Sequence, residues 1–403
     1  MNNSILADAC NIKTGKLDSN QAVKGGQFPF FTCSALPDTI DKYAYDEDVV
    51  LVAGNNAQGN FHVSRFKGKF NAYQRTYILT AKNDYDIDFV YYSLKLELKR
   101  LKEKSQGSQT KFLTMPILNN IVLRKLNKSL QKKIASTLSA LDSKIELNNR
   151  INTELEAMAK TLYDYWFVQF DFPDKHGKPY KTSGGKMVWN EEIQREIPEG
   201  WEVKELQEIA KCLMGQSPKG ESYNQDGIGT PLLNGPADYE NGTLKGRTFT
   251  TEPTRLCQKD DLVLCIRATI GNLVYSEQEF CLGRGVAAVR VNDKRLSELI
   301  YFLLIQEIER FKVQATGSII VGITKDDLIE SKCLIPNDEL IKYFHNLIKP
   351  QFDKIRINIQ ENLKLTELRD WLLPMLMNGQ VKVKDEKETE LSMAAEPKVN
   401  YGK

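Results

Sequence analysis

The feature that most constrains this chain is a duplication within it. When the sequence is shifted by 210 residues, positions 107–167 align without gaps on positions 317–377, and 13 of these 61 positions are identical. Average composition accounts for roughly three or four such identities. Upstream the similarity continues after a further shift of two residues, where the apolar run 49–52, which leads to Gly59-Asn60, resembles 262–266, which leads to Gly271-Asn272. The chain is therefore predicted to fold as two similar parts.

Each copy has a mixed segment followed by a long helix. The mixed segments, 1–127 and 201–336, hold short β-like runs punctuated by Gly, Asn and Asp, with one or two short helices. This pattern predicts an α+β fold with a mostly antiparallel or mixed sheet in each domain. Residues 168–200 are rich in Gly, Pro and Lys and are predicted to be a linker, and the charged segment 379–403 is predicted to be a disordered tail.

The two long helices are predicted within 128–167 and 337–378, and each is expected to have about 37 residues and so to be about 55 Å long at about 1.5 Å per residue. Their apolar residues follow the 3-4 spacing of a coiled-coil seam, so we predict that they pair as an antiparallel coiled coil. The alternative is that each helix packs locally on its own domain. Pro350 is expected to kink the second helix or to move its start later. Both seams carry asparagines at equivalent places, namely Asn148, Asn152, Asn358 and Asn362.

Composition excludes several classes of protein. The longest apolar run, 299–305, has seven residues, whereas a membrane span needs about 18. No basic flank and apolar stretch open the chain, so a secretory signal is not expected. The seven cysteines are scattered without a C-x-x-C pair, which indicates reduced thiols and a cytoplasmic location. A formal net charge of +2 excludes a globally basic nucleic-acid binder.

Catalytic motifs are missing from the sequence. The string Gly184-Gly185-Lys186-Met187 fails as a phosphate-binding loop, because it ends in Met and lacks the preceding glycine. The chain has no Asn/Asp-Pro-Pro-aromatic tetrapeptide for methylating an amino group, and its three histidines are isolated. The acidic runs 46–48 and 260–261 are interpreted as solvated turn residues. We predict no catalytic site, metal or cofactor in this chain.

Basic residues are concentrated in the first copy. Residues 95–133 carry a net charge of +9, whereas the equivalent stretch 305–343 carries −2. Polar loops with Lys, Arg, Asn and Gln suit contact with DNA phosphates and base edges, although any one of them could be an ordinary turn. The candidate DNA-binding residues recur in both copies: Lys13, Lys16, Asn55, Asn56, Gln58, Gln74, Arg75 and Lys111 in the first, and Gln216, Lys219, Arg267, Thr269, Arg284 and Ser318 in the second.

The order of domain, helix, linker, domain and helix resembles the specificity subunit of type I restriction-modification systems. Four strings carry the resemblance, which extends to about residue 380: Tyr163-Asp164-Tyr165-Trp166-Phe167, Ile197-Pro198-Glu199-Gly200-Trp201, Met214-Gly215-Gln216-Ser217-Pro218 and Leu372-Leu373-Pro374-Met375-Leu376. The first domain departs from it, because nothing corresponds to Trp201-Glu202-Val203. The sequence leaves open whether its opening strand is shorter or missing, and whether that domain is functional.

The resemblance implies a DNA-reading subunit without catalysis. Each mixed domain would be a target recognition domain for one half of a split, asymmetric DNA sequence, and the coiled coil would act as a ruler between them. Two modification subunits would supply S-adenosylmethionine chemistry at adenine N6. Two restriction subunits, with ATP and Mg, are a further expected addition. The residues expected to dock partner subunits, or else to close the helices against the domains, are Leu162, Trp166, Phe167, Trp371, Leu372 and Met375.

Two other hypotheses stay open at this point. A coiled-coil scaffold with two protein-binding domains would explain the near-neutral charge, and its interactions would be insensitive to salt. An enzyme of unfamiliar type would contradict the missing motifs, and turnover by the isolated chain would support it.

Overall fold

The computed structural model describes residues 3–55, 61–104, 112–267, 270–315 and 322–383, without the side chains of 103–104 and 314–315. The chain divides into two compact units, the first within 1–146 and 362–403 and the second within 147–361. The helices described are α1 (Leu6–Ala9), α2 (Ile87–Lys104), α3 (Met115–Asn119), α4 (Lys128–Tyr163), α5 (Leu206–Ile209), α6 (Ser297–Ala315), α7 (Lys325–Ile329) and α8 (Asp338–Asn378).

The first unit is built on a six-stranded sheet. Its strands are β1 (Asn3–Ile5), β2 (Cys10–Thr14), β3 (Phe28–Phe31), β4 (Asp38–Ile40), β5 (Tyr45–Ala53), β6 (Val63–Ala72), β7 (Thr76–Ala81) and β8 (Val122–Arg124). The order in the sheet is β2-β7-β5-β6-β3-β4, and β1 pairs separately with β8. Only the β3–β6 pair among these described strands is parallel.

Strand β5 lies at the centre of this sheet because its apolar residues can be buried on both faces. Val50 and Val52 pack with α2 on one face, and Val49 and Leu51 pack with the aromatic residues of β3 and β6 on the other. Alternation along the strand thus places the sheet between two apolar layers.

The second unit distributes its strands over smaller sheets. They are β9 (Met187–Asn190), β10 (Arg195–Pro198), β11 (Glu202–Glu205), β12 (Ala210–Met214), β13 (Tyr223–Asn224), β14 (Thr230–Leu233), β15 (Tyr239–Glu240), β16 (Thr243–Leu244), β17 (Thr248–Thr250), β18 (Leu256–Cys257), β19 (Leu262–Cys265), β20 (Gly271–Tyr275), β21 (Phe280–Leu282), β22 (Val286–Val291) and β23 (Lys332–Ile335). The two larger sheets have the orders β12-β22-β19-β20 and β13-β17-β14-β21-β18. This mixed architecture confirms the predicted α+β class.

The opening strand of the first domain is present and short. Residues 3–5 of β1 pair with β8, as the four residues of β11 pair with β23. The Leu6 N–H then donates to the Ile121 carbonyl (2.9 Å), and the Leu206 N–H donates to the Ser331 carbonyl (3.0 Å). The same backbone contact therefore opens both domains, and the sequence before β1 has no tryptophan to match Trp201.

Helices α4 and α8 contact each other in antiparallel order within each unit. In the first unit Arg369 Nη1 lies 2.8 Å from Asp142 Oδ1. In the second, Asn358 Nδ2 donates to Asn152 Oδ1 (2.8 Å) and Asn148 Nδ2 to Glu361 Oε2 (2.8 Å). These contacts support the predicted antiparallel pairing, and supercoiling of the helices stays a prediction. Helix α8 begins at Asp338 and continues through residue 350, so the expected later start is wrong.

The segment predicted as a linker is folded into the second unit. Strands β9 and β10 form an antiparallel hairpin within it, and Phe170, Phe172 and Ile197 are buried. The Phe172 ring stacks on Trp201 with centroids 5.3 Å apart. The hairpin thus covers part of the core of the second unit, which a plain connector would leave open.

The start of the predicted tail caps α8. Gly379 has a φ of 73°, the left-handed conformation in which many helices end, and the Gln380 N–H donates to the Met375 carbonyl (2.9 Å). Residues 384–403, where the rest of the tail was predicted, lie outside the described residues.

Candidate nucleic-acid interface

Backbone hydrogen bonds bring four segments together at one end of the first sheet, where β2 and β5 end and where β6 turns into β7. Directly after β2, the Gly15 N–H donates to the Thr76 carbonyl (3.1 Å) and the Lys16 N–H to the Ala72 carbonyl (3.3 Å). The end of β2 is thereby joined to the turn between β6 and β7.

Two further hydrogen bonds extend this arrangement. The Gly54 N–H donates to the Arg75 carbonyl (2.8 Å), and the Leu113 N–H donates to the Gly54 carbonyl (2.9 Å). Residues 14–17, 54–55, 72–76 and 112–113 are therefore one connected set, which we call the first loop frame.

The second domain repeats this set of hydrogen bonds at the equivalent positions. They join Gly215 to Val286 (3.0 Å), Gln216 to Leu282 (2.8 Å), Ile266 to Gly285 (2.9 Å) and Ile323 to Ile266 (2.9 Å), in each case from N–H to carbonyl. We call residues 214–217, 266–267, 282–286 and 322–323 the second loop frame. Every one of these bonds joins backbone groups, so none of them uses a side-chain atom.

A glycine is required at the start of each frame. A Cβ on Gly15 would lie 2.2 Å from the Ala72 carbonyl oxygen, and a Cβ on Gly215 would lie 2.1 Å from the Gly283 oxygen. Real Cβ atoms do not approach backbone oxygens so closely, so only glycine fits. The string Met214-Gly215-Gln216 thus owes its glycine to this close contact.

The side chains on the two frames differ at every position of interest. Asn55 corresponds to Arg267, Gln74 to Arg284, Arg75 to Gly285 and Phe112 to Gly322, as the shared hydrogen bonds establish. Gln74, Arg75 and Phe112 are exposed in the first frame, as are Arg267 and Arg284 in the second. The two frames therefore present different polar groups on the same backbone arrangement.

The structure brings together most of the described candidate DNA-binding residues. Lys16, Asn55, Gln74 and Arg75 lie on the first frame, and Gln216, Arg267 and Arg284 lie on the second. The Gln74 amide is already fixed, because its Nε2 donates to Asp18 Oδ1 (2.7 Å). The remaining candidates, Asn56, Gln58, Lys111, Thr269 and Ser318, lie outside the described residues.

Two candidates lie off the frames. Lys13 lies on β2, where its Nζ is 2.5 Å from Glu47 Oε1 and 4.8 Å from the centroid of the Tyr45 ring. Its charge is thus compensated by a residue of β5, which is separated from β2 by β7 in the sheet. Lys219 follows the second frame, exposed to solvent, with its Nζ 4.0 Å from Glu252 Oε2.

Sequence reasoning missed Phe112, an apolar residue that is 52% exposed on the first frame. Its ring lies under the Arg75 guanidinium, with Arg75 Cζ 5.9 Å from the centroid. The available signal was a phenylalanine that directly follows the polar string ending in Lys111. The glycine at the equivalent position 322 shows that packing of the frame does not require a ring there.

The residues expected to dock partners are divided between core and surface. Trp166 and Phe167 are buried in the second unit, where Phe167 packs on Phe344 (4.8 Å between centroids). They therefore close the end of the first long helix against the core of the second unit, in line with the alternative interpretation that these residues close the helices against the domains. Trp371 is 54% exposed. The others, Leu162, Leu372 and Met375, are half-buried.

The acidic runs do not form a metal site. Residues 46–48 lie in β5, and Asp261 is buried, so its interpretation as a solvated turn residue is wrong. Its carboxylate accepts hydrogen bonds from Arg290 Nε (2.9 Å) and Nη2 (2.7 Å), and this pairing raises the pKa of Arg290. No group of three His, Cys, Asp or Glu residues with metal-binding geometry occurs in the described part of the chain.

None of the helices described is long and apolar enough to cross a membrane. All seven cysteines are free thiols. Burial raises the pKa of the Cys10 thiol to about 12, which makes it an unreactive core residue.

The chain is similar in sequence to known proteins. A family model described as "Type I restriction modification DNA specificity domain" matches residues 1–157 and 198–365. The chain is 29% identical over 257 residues to a protein named as the MjaX type I specificity subunit of Methanocaldococcus jannaschii, an alignment that covers 63% of this chain and 58% of that protein. It is 27% identical over 323 residues to the MjaIX specificity subunit of the same organism, covering 74% and 70% of the two chains.

The fold is also similar to that of a solved protein. The crystal structure of the type I restriction-modification S subunit from M. genitalium matches with a TM-score of 0.63 at 19% identity, over 93% of this chain and 96% of that one. The family match covers both mixed domains and most of α4 and α8. The chain therefore belongs to the family of type I restriction-modification DNA specificity proteins.

Proposed function

We propose that this chain is the non-catalytic DNA-recognition subunit of a type I restriction-modification complex, and that each loop frame reads one half of a bipartite, asymmetric target. The observation that carries this proposal is the pairing of two identical backbone frames with two different sets of exposed side chains. Two readers with one geometry and different chemistry are what a target of two unlike halves requires.

The target recognition domains are assigned to residues 1–127 and 201–336, each followed by its helix. The helices would set the separation of the two half-sites. Two readers on one face of DNA lie about one helical turn apart, about 34 Å, and a helix of 36 residues extends about 54 Å. The helices are therefore long enough to act as a ruler.

The chemistry would come from partner subunits in the cytoplasm. Two modification subunits would bind S-adenosylmethionine and methylate adenine N6, which requires that the adenine be flipped out of the duplex. Two restriction subunits would add ATP- and Mg-dependent cleavage. Among the residues considered for docking, Trp371 is the one with a largely exposed aromatic ring.

The proposal is tested by expressing the chain with its modification subunit and mapping methyladenine in host DNA by direct sequencing. We expect a motif in two short parts separated by a fixed gap. Exchange of residues 201–336 for those of a relative with another specificity should change one part and leave the other. A chimera that still directs methylation to both original parts would contradict the domain assignment.

The competing scaffold hypothesis makes the opposite prediction. A scaffold in a stable complex would add no methylation, and its binding would not weaken with salt. Polar groups on two matched frames have no role in that hypothesis, so the structure gives it no support.

A further inference from the structure

Of the arginines described in the first unit, Arg75 is the one whose guanidinium lies over an aromatic ring. Its guanidinium lies over the ring of Phe112, with Cζ 5.9 Å from the centroid, and both side chains are exposed at the same edge of the sheet. An aromatic ring under a guanidinium restricts the guanidinium without using its hydrogen-bond donors.

The backbone on both sides of this contact is fixed. The Arg75 carbonyl accepts the Gly54 N–H, and Asn55 forms a β-bridge with Phe112. Arg75 and Phe112 are therefore presented by hydrogen-bonded segments, so their relative position does not depend on an unsupported loop. A preorganised side chain loses less conformational entropy when it binds.

Arg75 also lacks the intramolecular partners that occupy its neighbours. Lys13 is paired with Glu47, and Gln74 is bonded to Asp18. Within the described ranges no carboxylate lies within 4 Å of the Arg75 guanidinium. Its donors face solvent at the place where the four segments meet.

The second frame cannot make the same contact. Gly285 and Gly322 occupy the positions of Arg75 and Phe112, and the arginines of that frame, Arg267 and Arg284, arise from other positions. The difference between the frames is therefore largest at the arginine–phenylalanine pair, as expected if this pair serves one half-site only.

We propose that Arg75, positioned by Phe112, reads a guanine in the half of the target that the first domain recognises. The inference rests on the proposed function and names one contact in it. Guanine presents O6 and N7 as two adjacent acceptors in the major groove, and the planar guanidinium fork matches them with two parallel hydrogen bonds. Lysine at this position would keep the charge and lose the paired geometry.

The experiment maps methylation by the full complex of this chain with its modification subunits, for the native chain and for Arg75→Ala, Arg75→Lys and Phe112→Leu. For Arg75→Ala we expect one G·C position of one half-site to become degenerate, with the spacer and the other half unchanged. Affinity for the native duplex should fall roughly 5- to 150-fold. Arg75→Lys should show the same relaxed position with an unchanged salt dependence.

Phe112→Leu tests the positioning role. It should keep the guanine preference and weaken binding roughly 2- to 5-fold, because only the cation–π contact is lost. The matched control is Arg284→Ala in the second frame, which should leave the half-site affected by Arg75→Ala unchanged and so identifies which half belongs to which domain.

Three outcomes would overturn the inference. They are an unchanged motif in Arg75→Ala, a first half-site without a G·C pair, and a uniform loss of affinity for all sequences with a salt slope smaller by about one, which would make Arg75 a phosphate contact. If the native complex itself gives no bipartite motif, the proposed function fails instead, so the two failures are distinguishable.

Discussion

The two units pack α4 and α8 against their domain helices with opposite chemistry at equivalent positions. In the first unit these helices share an apolar cluster, and beside it one position is polar. Asp142 of α4 accepts a hydrogen bond from the Tyr92 hydroxyl of α2 (2.8 Å) and pairs with Arg369 of α8 (2.8 Å). Burial lowers the pKa of the Arg369 guanidinium, but its bonds to Asp142 and Asp370 outweigh that effect and raise it overall.

In the second unit the contact is apolar. A shift of 210 residues places Phe302 at the position of Tyr92, Phe352 at that of Asp142 and Ala159 at that of Arg369. All three are buried, and the rings of Phe302 and Phe352 have centroids 5.8 Å apart. One duplicated arrangement is thus closed by an ion pair in one copy and by aromatic packing in the other.

From this difference we expect each long helix to disfavour pairing with a second copy of itself. In the antiparallel arrangement, α4 paired with a second α4 would place Asp142 opposite Ala159, and α8 paired with a second α8 would place Arg369 opposite Phe352. Either pairing leaves a half-buried charge without its partner, which is strongly unfavourable. We therefore expect the polar contact to contribute mainly selectivity and the apolar contact mainly stability.

The largest expected effect is on the apolar side. Phe352→Ala should lower the free energy of unfolding by about 3–5 kcal/mol, because it removes a ring packed on Tyr301 (5.0 Å) and Phe302. Urea unfolding measures it. The control Ile357→Ala, at an exposed position of the same helix, should change the value by about 0.5 kcal/mol or less. Equal losses of stability in the two variants would contradict the assignment of a stabilising role to the buried ring of Phe352.

On the polar side, Arg369→Leu should cost about 1–3 kcal/mol, because Asp142 keeps the Tyr92 hydroxyl and loses its cation. Asp142→Leu combined with Arg369→Leu should regain most of that loss, since no uncompensated charge is left. The double variant should also self-associate when two differently tagged copies of the full chain are co-expressed and one is purified. A double variant that stays as selective as the native chain would refute the selectivity role.

The smallest change in stability is expected at the middle of the helices. Asn358 is fully buried, its Nδ2 donates to Asn152, and its Oδ1 has no hydrogen-bond partner among the described residues. Replacing Asn148 and Asn358 by Leu should alter stability by about 1 kcal/mol or less, because lost hydrogen bonds and relieved burial of polar atoms oppose each other. The register should loosen. A methylated motif that keeps one sharp spacer length in this variant would contradict the register role.

The features of the fold that follow from a repeated pattern of residues were predicted from the sequence. Two copies of a mixed domain and a helix follow from the repeat and from the 3-4 spacing, and both are observed. The hairpin at 187–198 was missed because its two strands are short and lie among Gly, Pro and Lys residues, where pattern indicates a loop. Pro350 was expected to kink the second helix or to move its start later, but α8 begins at Asp338, because the packing of a 41-residue helix outweighs one lost hydrogen bond.

At the candidate interface, residue type predicted location better than role. Polar residues at turns identified most of the two loop frames, because turns that end neighbouring strands meet at one sheet edge. The partner of Lys13 could not be foreseen, since it requires knowing that Glu47 lies on a nearby strand. The sequence does not show whether an aromatic residue at a helix end faces the core or the solvent. Trp166 is buried, whereas Trp371 is exposed.

The backbone-only hydrogen bonds of the two loop frames have an evolutionary consequence. Because those bonds ignore side-chain identity, substitutions at 55, 74, 75 and 112 in the first frame, or at 267 and 284 in the second, carry little folding cost. Gly285 is an exception, because a Cβ there would lie 2.0 Å from the Asn234 carbonyl oxygen. Selection can therefore change the half-site that a domain recognises without first finding compensating changes in its core. In a lineage under pressure from invading DNA, such a domain can acquire a new target by a few substitutions while the partner surfaces stay constant.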